Sequence, residues 1–152
     1  MLLVLSVNGS LQTFNASGSV DCWIIALDVV DNNMPMIWVR TLGSPLQQLF
    51  IKGVAIHNTT AAPHVSTAVV VGAFSGDINI TLQSGINITL QPDTAGQLDH
   101  LILGVDASNG QIKWAIGVGS SAHDMAKCVS ICGSIAVVGG TFGADFQLAA
   151  VG

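Results

Sequence analysis

The sequence predicts an all-β fold in which one four-stranded unit occurs twice. Three observations carry that expectation. Val, Ile, Thr and Gly dominate the composition, short apolar runs are separated by turn residues, and an internal repeat keeps its order along the chain. With 152 residues the chain is sized for one domain, and its 50% hydrophobic content provides a substantial core. Only 9% of residues are charged, all nine acids are Asp, and Glu and Tyr are absent, so the residues that favour surface helices are nearly missing.

The opening stretch "MLLVLSVNGS" lacks the basic leader and small-residue cleavage site of a signal peptide and reads as a strand. Residues 1–18 are taken as the tail of a preceding repeat, 19–95 as the first repeat and 96–152 as the second. Within them "VDCWIIALD" matches "LDHLILGVD", so that Asp21 and Asp28 correspond to Asp99 and Asp106. Next, "IWVRTLGS" matches "KWAIGVGS", placing Trp38 on Trp114 and Gly43 on Gly119. Last, "VVVGAFSGDINI" matches "AVVGGTFGADFQL", placing Gly72 on Gly140, Phe74 on Phe142 and Asp77 on Asp145. The offset falls from 78 to 76 to 68 because the first copy has a longer turn at "DNNMP" and an extra segment at "HNTTAAPH". Both differences fall in loops, where insertions are tolerated.

Each copy offers four strand-like runs, which in the second are "HLILGV", "IKWAIGV", "KCVSIC" and "IAVVGGTF". Residues 21–80 and 99–152 are therefore each expected to form their own antiparallel sheet. Alternation places Ile112, Trp114 and Ile116 on one face of their strand, with Lys113 and Ala115 on the other. A tight hairpin turn on Asn109-Gly110 precedes that strand. Between the copies, "TLQSGINITLQPDTAG" serves as the passage from one unit to the next.

The order D-x6-D, an Asn-Gly turn, an apolar run with Trp, G-S, a further apolar strand and "VVGGTFGADF" resembles the bacterial β-propeller repeat family called SBBP. The resemblance covers most of residues 19 to 148 in two copies. It implies about two four-stranded antiparallel blades of a propeller, whose rings normally need about four to eight. Two copies cannot close a ring, so the chain is expected to be a fragment of a longer protein or to self-associate. A β-solenoid or an immunoglobulin-like sandwich is the structural alternative. The family further implies an extracellular or cell-surface setting, where such propellers act as interaction or adhesion platforms.

Charge and spacing exclude several functions. A net charge of −5 with four Lys plus Arg leaves no basic stripe for nucleic acid. No apolar run approaches the roughly 20 residues of a membrane-spanning helix. Cys22, Cys128 and Cys132 match no zinc or redox spacing and read as buried free thiols. Seven residues of strand hold Asp21 about 23 Å from Asp28, and Asp99 as far from Asp106, beyond the reach of an acid-base pair, so these residues are assigned to turns and strand ends. "DASNG" lacks the further carboxylates of a calcium loop, and "GVGSSAHD" lacks the third Gly of a dinucleotide fingerprint. No catalytic residue, metal ligand or cofactor is assigned.

His57, Asn58 and His64, in the segment that the second copy lacks, are the candidate binding residues. Trp38 and Trp114 fit core positions between units better than a carbohydrate platform. Five of the eight Asn residues begin N-x-Ser/Thr: Asn8, Asn15, Asn58, Asn79 and Asn87. Either glycosylation or the polar face of alternating strands accounts for them. The sequence thus reads as a structural or binding module with a protein or carbohydrate partner. The rival is a hydrolase or lyase whose site draws on several blades.

Overall fold

The computed structural model describes residues 2–7, 10–15, 21–28, 30, 35–43, 48–57 and 66–145. Every regular element among them is a strand, and consecutive strands pair as antiparallel hairpins. The first hairpin is β1 (Leu2–Val7) with β2 (Ser10–Asn15), followed by β3 (Cys22–Leu27) with β4 (Met36–Leu42). The third is β5 (Gln48–His57) with β6 (Thr67–Ser75), and the fourth β7 (Ile78–Thr81) with β8 (Asn87–Leu90). β9 (Asp99–Asp106) with β10 (Ile112–Val118) and β11 (Met125–Cys132) with β12 (Ile135–Thr141) complete the order.

One further pairing crosses the boundary between the sequence copies. β6 lies antiparallel to β9, from Thr67 opposite Asp106 to Phe74 opposite Asp99, giving a four-stranded sheet in the order β5-β6-β9-β10. The expectation of one sheet over residues 21–80 and another over 99–152 is therefore not met. The described residues instead form this one four-stranded sheet, made from the end of one copy and the start of the next, and four two-stranded ones. The cause lies in β6 and β9. Both are continuous apolar runs without a bulge, with two faces to bury and two straight edges to satisfy, and only the centre of a sheet provides both.

The faces of this sheet form two cores. On one, Val70, Phe74, Leu101 and Leu103 are buried beneath Ile24 and Trp38 of β3–β4, together with Ile78 and Ile80 of β7. On the other, Val69 and Val71 pack against Ala126, Val129 and Val138 of β11–β12. Fully burying each such side chain stabilises by about 1.5–3 kcal/mol. The resulting stack has β3–β4 and β11–β12 on opposite faces of a central sheet. β7–β8, read from sequence as a connector, is a hairpin inserted between the second and third strands of that sheet.

Each of the four long hairpins carries one bulge. The extra residues are Ile37 in β4, Lys52 in β5, Lys113 in β10 and Lys127 in β11. The bulge in β10 corrects the predicted alternation: Ile112 joins the core beside Val105, whereas Trp114 lies opposite Gly104 on the other face. Two bulges also explain the repeated glycine of the third motif. A Cβ on Gly72 would fall onto the carbonyl oxygen of Phe50, and one on Gly140 onto that of Met125.

Candidate functional site

One end of the central sheet gathers a row of polar side chains beside the inserted segment's flanks. His57 lies opposite Thr67, and Thr67 opposite Asp106, forming a row across three strands. The Asp106 carboxylate accepts the backbone N–H of Ser108 at 2.9 Å and its hydroxyl at 2.6 Å. Lys113 Nζ lies 3.5 Å from the other carboxylate oxygen and donates to Thr67 Oγ1 at 3.1 Å. The Ser108 hydroxyl, then its backbone N–H, and also Lys113 hold the Asp106 carboxyl below the usual carboxylate range.

The turn after Asp106 is longer than the two-residue turn expected on Asn109-Gly110. The Asp106 N–H donates to Gln111 O at 2.7 Å and the Gly110 N–H to Asp106 O at 2.8 Å, so residues 107–110 form the loop. Gly110 closes it with φ 74°, a left-handed conformation that glycine adopts without penalty. Asn109 instead accepts the N–H of Gln111 through its side chain, at 2.8 Å. In the first copy, Asp28 accepts the N–H of Val30 at 2.9 Å, the same bond to the second residue onward.

Strand β4 docks on this loop. Trp38 Nε1–H donates to Ala107 O at 2.9 Å and Arg40 Nε–H to Gly110 O at 2.7 Å. The Ala107 N–H donates to Ser66 O at 3.1 Å, which ties the loop to the far side of the inserted segment. Half-buried His57 and Ser66, which flank the inserted segment, thus both lie at the sheet end that carries the Asp106–Gly110 turn. Asn58 and His64, the other candidate binding residues, lie outside the described residues. The sequence does not single out Trp38, Arg40 or Lys113 for this site: the first two reach the turn only because one hairpin docks on another, and Lys113 is turned toward Asp106 by a bulge that alternation does not show.

The opposite end is built for structure. Asp124 is fully buried and accepts the backbone N–H groups of Ser120 and Gly143. His123 Nδ1 accepts the N–H of Leu98 at 3.1 Å, and Ser120 Oγ accepts that of Ala122 at 3.2 Å. These three side chains are spent on the backbone and do not form a Ser-His-Asp relay. Asp99, also buried, accepts the N–H of Asp93 at 2.7 Å through Oδ2, while its Oδ1 is buried with no hydrogen-bond partner. Burial, reinforced by the nearby Asp124 charge, pushes the Asp99 carboxyl up. Gly119 is the residue that lets this carboxylate sit where it does, since a Cβ there would strike it.

The three thiols are free, but only Cys22 is even partly buried. Its Sγ–H donates to Leu49 O at 2.9 Å, and burial raises its pKa. Cys128 and Cys132 are exposed, which corrects the expectation of buried thiols: Ala126, Val129 and Ile131 turn inward and leave both cysteines on the outer side of β11. Asn79 and Asn87 accept the hydroxyls of Thr89 and Thr81 across β7–β8, each at 2.7 Å. Among the described residues no three of His, Cys and Asp lie close enough to hold a metal ion, and no helix is long and apolar enough to cross a membrane. Comparison with known proteins returned no matching family model, no matching curated protein and no matching solved structure.

Proposed function

We propose that this chain is a run of SBBP-like propeller blades acting as a non-catalytic binding platform in an extracellular or cell-surface protein. Its partner is a protein or a carbohydrate. The observation that carries the reading is the row His57–Thr67–Asp106, which brings the mouth of the inserted segment to the same sheet end as the Asp106–Gly110 turn. A recognition loop needs a rigid base, and here Ser66, Ala107, Trp38 and Arg40 hold it. The stacking of a four-stranded sheet between two hairpins supports the propeller reading, because blades bury both faces against their neighbours. Against catalysis stands the use of Ser120, His123 and Asp124 by backbone groups.

The test is binding to glycan and protein arrays by the wild-type chain and by a folded variant with residues 57–64 replaced by a short Gly-Ser turn. Loop-dependent signal is expected on at least one ligand class. Equal signal from both proteins would remove the loop from the site, and turnover of an arrayed glycan by the wild-type chain would make the protein an enzyme.

A further inference from the structure

The four long hairpins contain strands of two kinds. β4, β5, β10 and β11 each carry a bulge, and three of the four bulged residues are lysines: Lys52, Lys113 and Lys127. A bulge with a lysine interrupts the ladder and places a charge on the edge, which discourages a foreign strand from pairing there. β3, β6, β9 and β12 have neither bulge nor Lys or Arg. β6 and β9 spend their straight edges on each other. Among the described residues β3 and β12, their repeat counterparts, pair on one edge alone.

We propose that the chain associates head to tail with a second copy of itself, β12 of one copy pairing antiparallel with β3 of the next. The joined sheet β11-β12-β3-β4 repeats the order of β5-β6-β9-β10. Carrying over the β6–β9 register, in which Val70 opposes Leu103 and Val69 opposes Gly104, sets Val138 opposite Ile25 and Val137 opposite Ala26. The occupant follows an interface that the chain already makes within itself, and the β1–β2 hairpin does not take that place: among the described residues it forms its own two-stranded sheet, unpaired with β3. Such a contact uses different surfaces on the two copies and propagates until it closes into a ring.

The exposed apolar residues fit this arrangement. Val138 already packs on the central sheet of its own chain, so the neighbouring Ile25 turns Trp23 and Leu27 toward the same face, where Trp114 and Ile116 are open. On the other side of the joined sheet, Ile24 packs on the central sheet of the second copy. Ile135 and Val137 then turn toward Val54 and Ile56 on that face. These eight side chains are between 37% and 66% exposed in the single chain, and one pairing covers both groups.

The inference rests on the blade-stack reading above and is tested separately from ligand binding. In a background in which the three native cysteines are replaced by Ser, Ile25→Cys and Val138→Cys are placed on differently tagged chains, mixed and oxidised. Ala26→Cys with Val137→Cys forms a second pair, because adjacent cross-strand pairs alternate in spacing and one of the two suits a disulfide. Covalent dimers joining the two tags are expected from at least one pair and not from either variant alone. In sedimentation, wild-type mass should grow with concentration. Val137→Lys alters a residue exposed in the single chain and should raise the concentration needed by roughly tenfold or more. Linkage of a variant to itself, or a folded chain that stays monomeric at every concentration, would overturn the pairing; the second result would leave the blade reading standing.

Discussion

β6 and β12 carry the same motif and live in opposite surroundings. In β6 Val69, Val70 and Val71 are buried from both sides and Phe74 has no exposed surface; in β12 Ile135, Val137 and the following Phe142 are each more than half exposed. Each lies beside a bulged partner strand, with a glycine at the same position against that partner's carbonyl. The hairpin is therefore a property of the local sequence, whereas burial is conferred by neighbours: β9 on the edge of β6, β3–β4 on one face and β11–β12 on the other. Among the described residues β12 has a neighbour on one face only. The difference shows that one strand motif is buried on both faces at the centre of a sheet in one copy and is largely exposed in the other.

The comparison breaks most visibly at the paired phenylalanines. Phe74→Ala should cost about 3–5 kcal/mol, since it empties a closed core, while Phe142→Ala should cost about 0.5 kcal/mol or less. Urea unfolding of dilute protein measures both, and similar losses would contradict the asymmetry. A smaller effect is expected where the indoles sit. Gly104→Ala forces a methyl into the Trp114 ring and should cost about 1–3 kcal/mol, with a shift in tryptophan emission. The first copy already has alanine there, opposite Trp38, so Ala26→Gly should cost only about 0.5–1 kcal/mol. Smaller again is Trp38→Phe, which removes the bond to the Ala107 carbonyl and should cost about 1 kcal/mol, against little change for the partly exposed Trp114→Phe. An unaltered Trp38→Phe variant would show that β4 does not need that bond to dock.

Alternation and turn residues made the hairpins legible in the sequence, and the repeat made their correspondence legible. The expectation of a separate sheet for each copy failed for a physical reason. A repeat can be cut at any phase, and nothing in "VVVGAFS" or "LDHLILGVD" alone says that the end of one copy pairs with the start of the next. The inserted hairpin hid this further, because "INITLQSGINITL" stands between the two strands that pair. Bulges were equally hidden: one extra residue at Lys113 reverses the face of Trp114 relative to Ile112. Of the site, the Asp106 turn and the His57 segment were both visible as loops. Their adjacency was not, because it depends on the β5–β6 and β6–β9 registers together, and the arrival of Trp38 and Arg40 depends on hairpin docking.

The two ends of β9 provide the last and smallest contrast, in their response to pH. The Asp99 carboxyl is raised by burial, so the folded state holds its proton more tightly than the unfolded chain does. Its contribution is fully present below the ordinary Asp value and is lost as pH rises through the raised folded value. Asp106 has the opposite sign: Ser108 and Lys113 favour its charged form, so its contribution is present above the ordinary Asp value and is lost as pH falls through the lowered folded one. Asp99→Asn should therefore flatten the decline in stability on the high-pH side of the carboxylate range, and Asp106→Asn should flatten the loss on the acid side. The first effect should be the larger, because Asp99 is fully shielded from water whereas the Asp106 carboxylate is only partly so, beside the exposed Ser108 and Asn109. Denaturant midpoints of wild type and both variants across the acid-to-neutral range would measure the two slopes. If Asp99→Asn changes the acid side instead, its carboxylate is held as an anion by the Asp93 N–H, and that bond outweighs burial at this end of the strand.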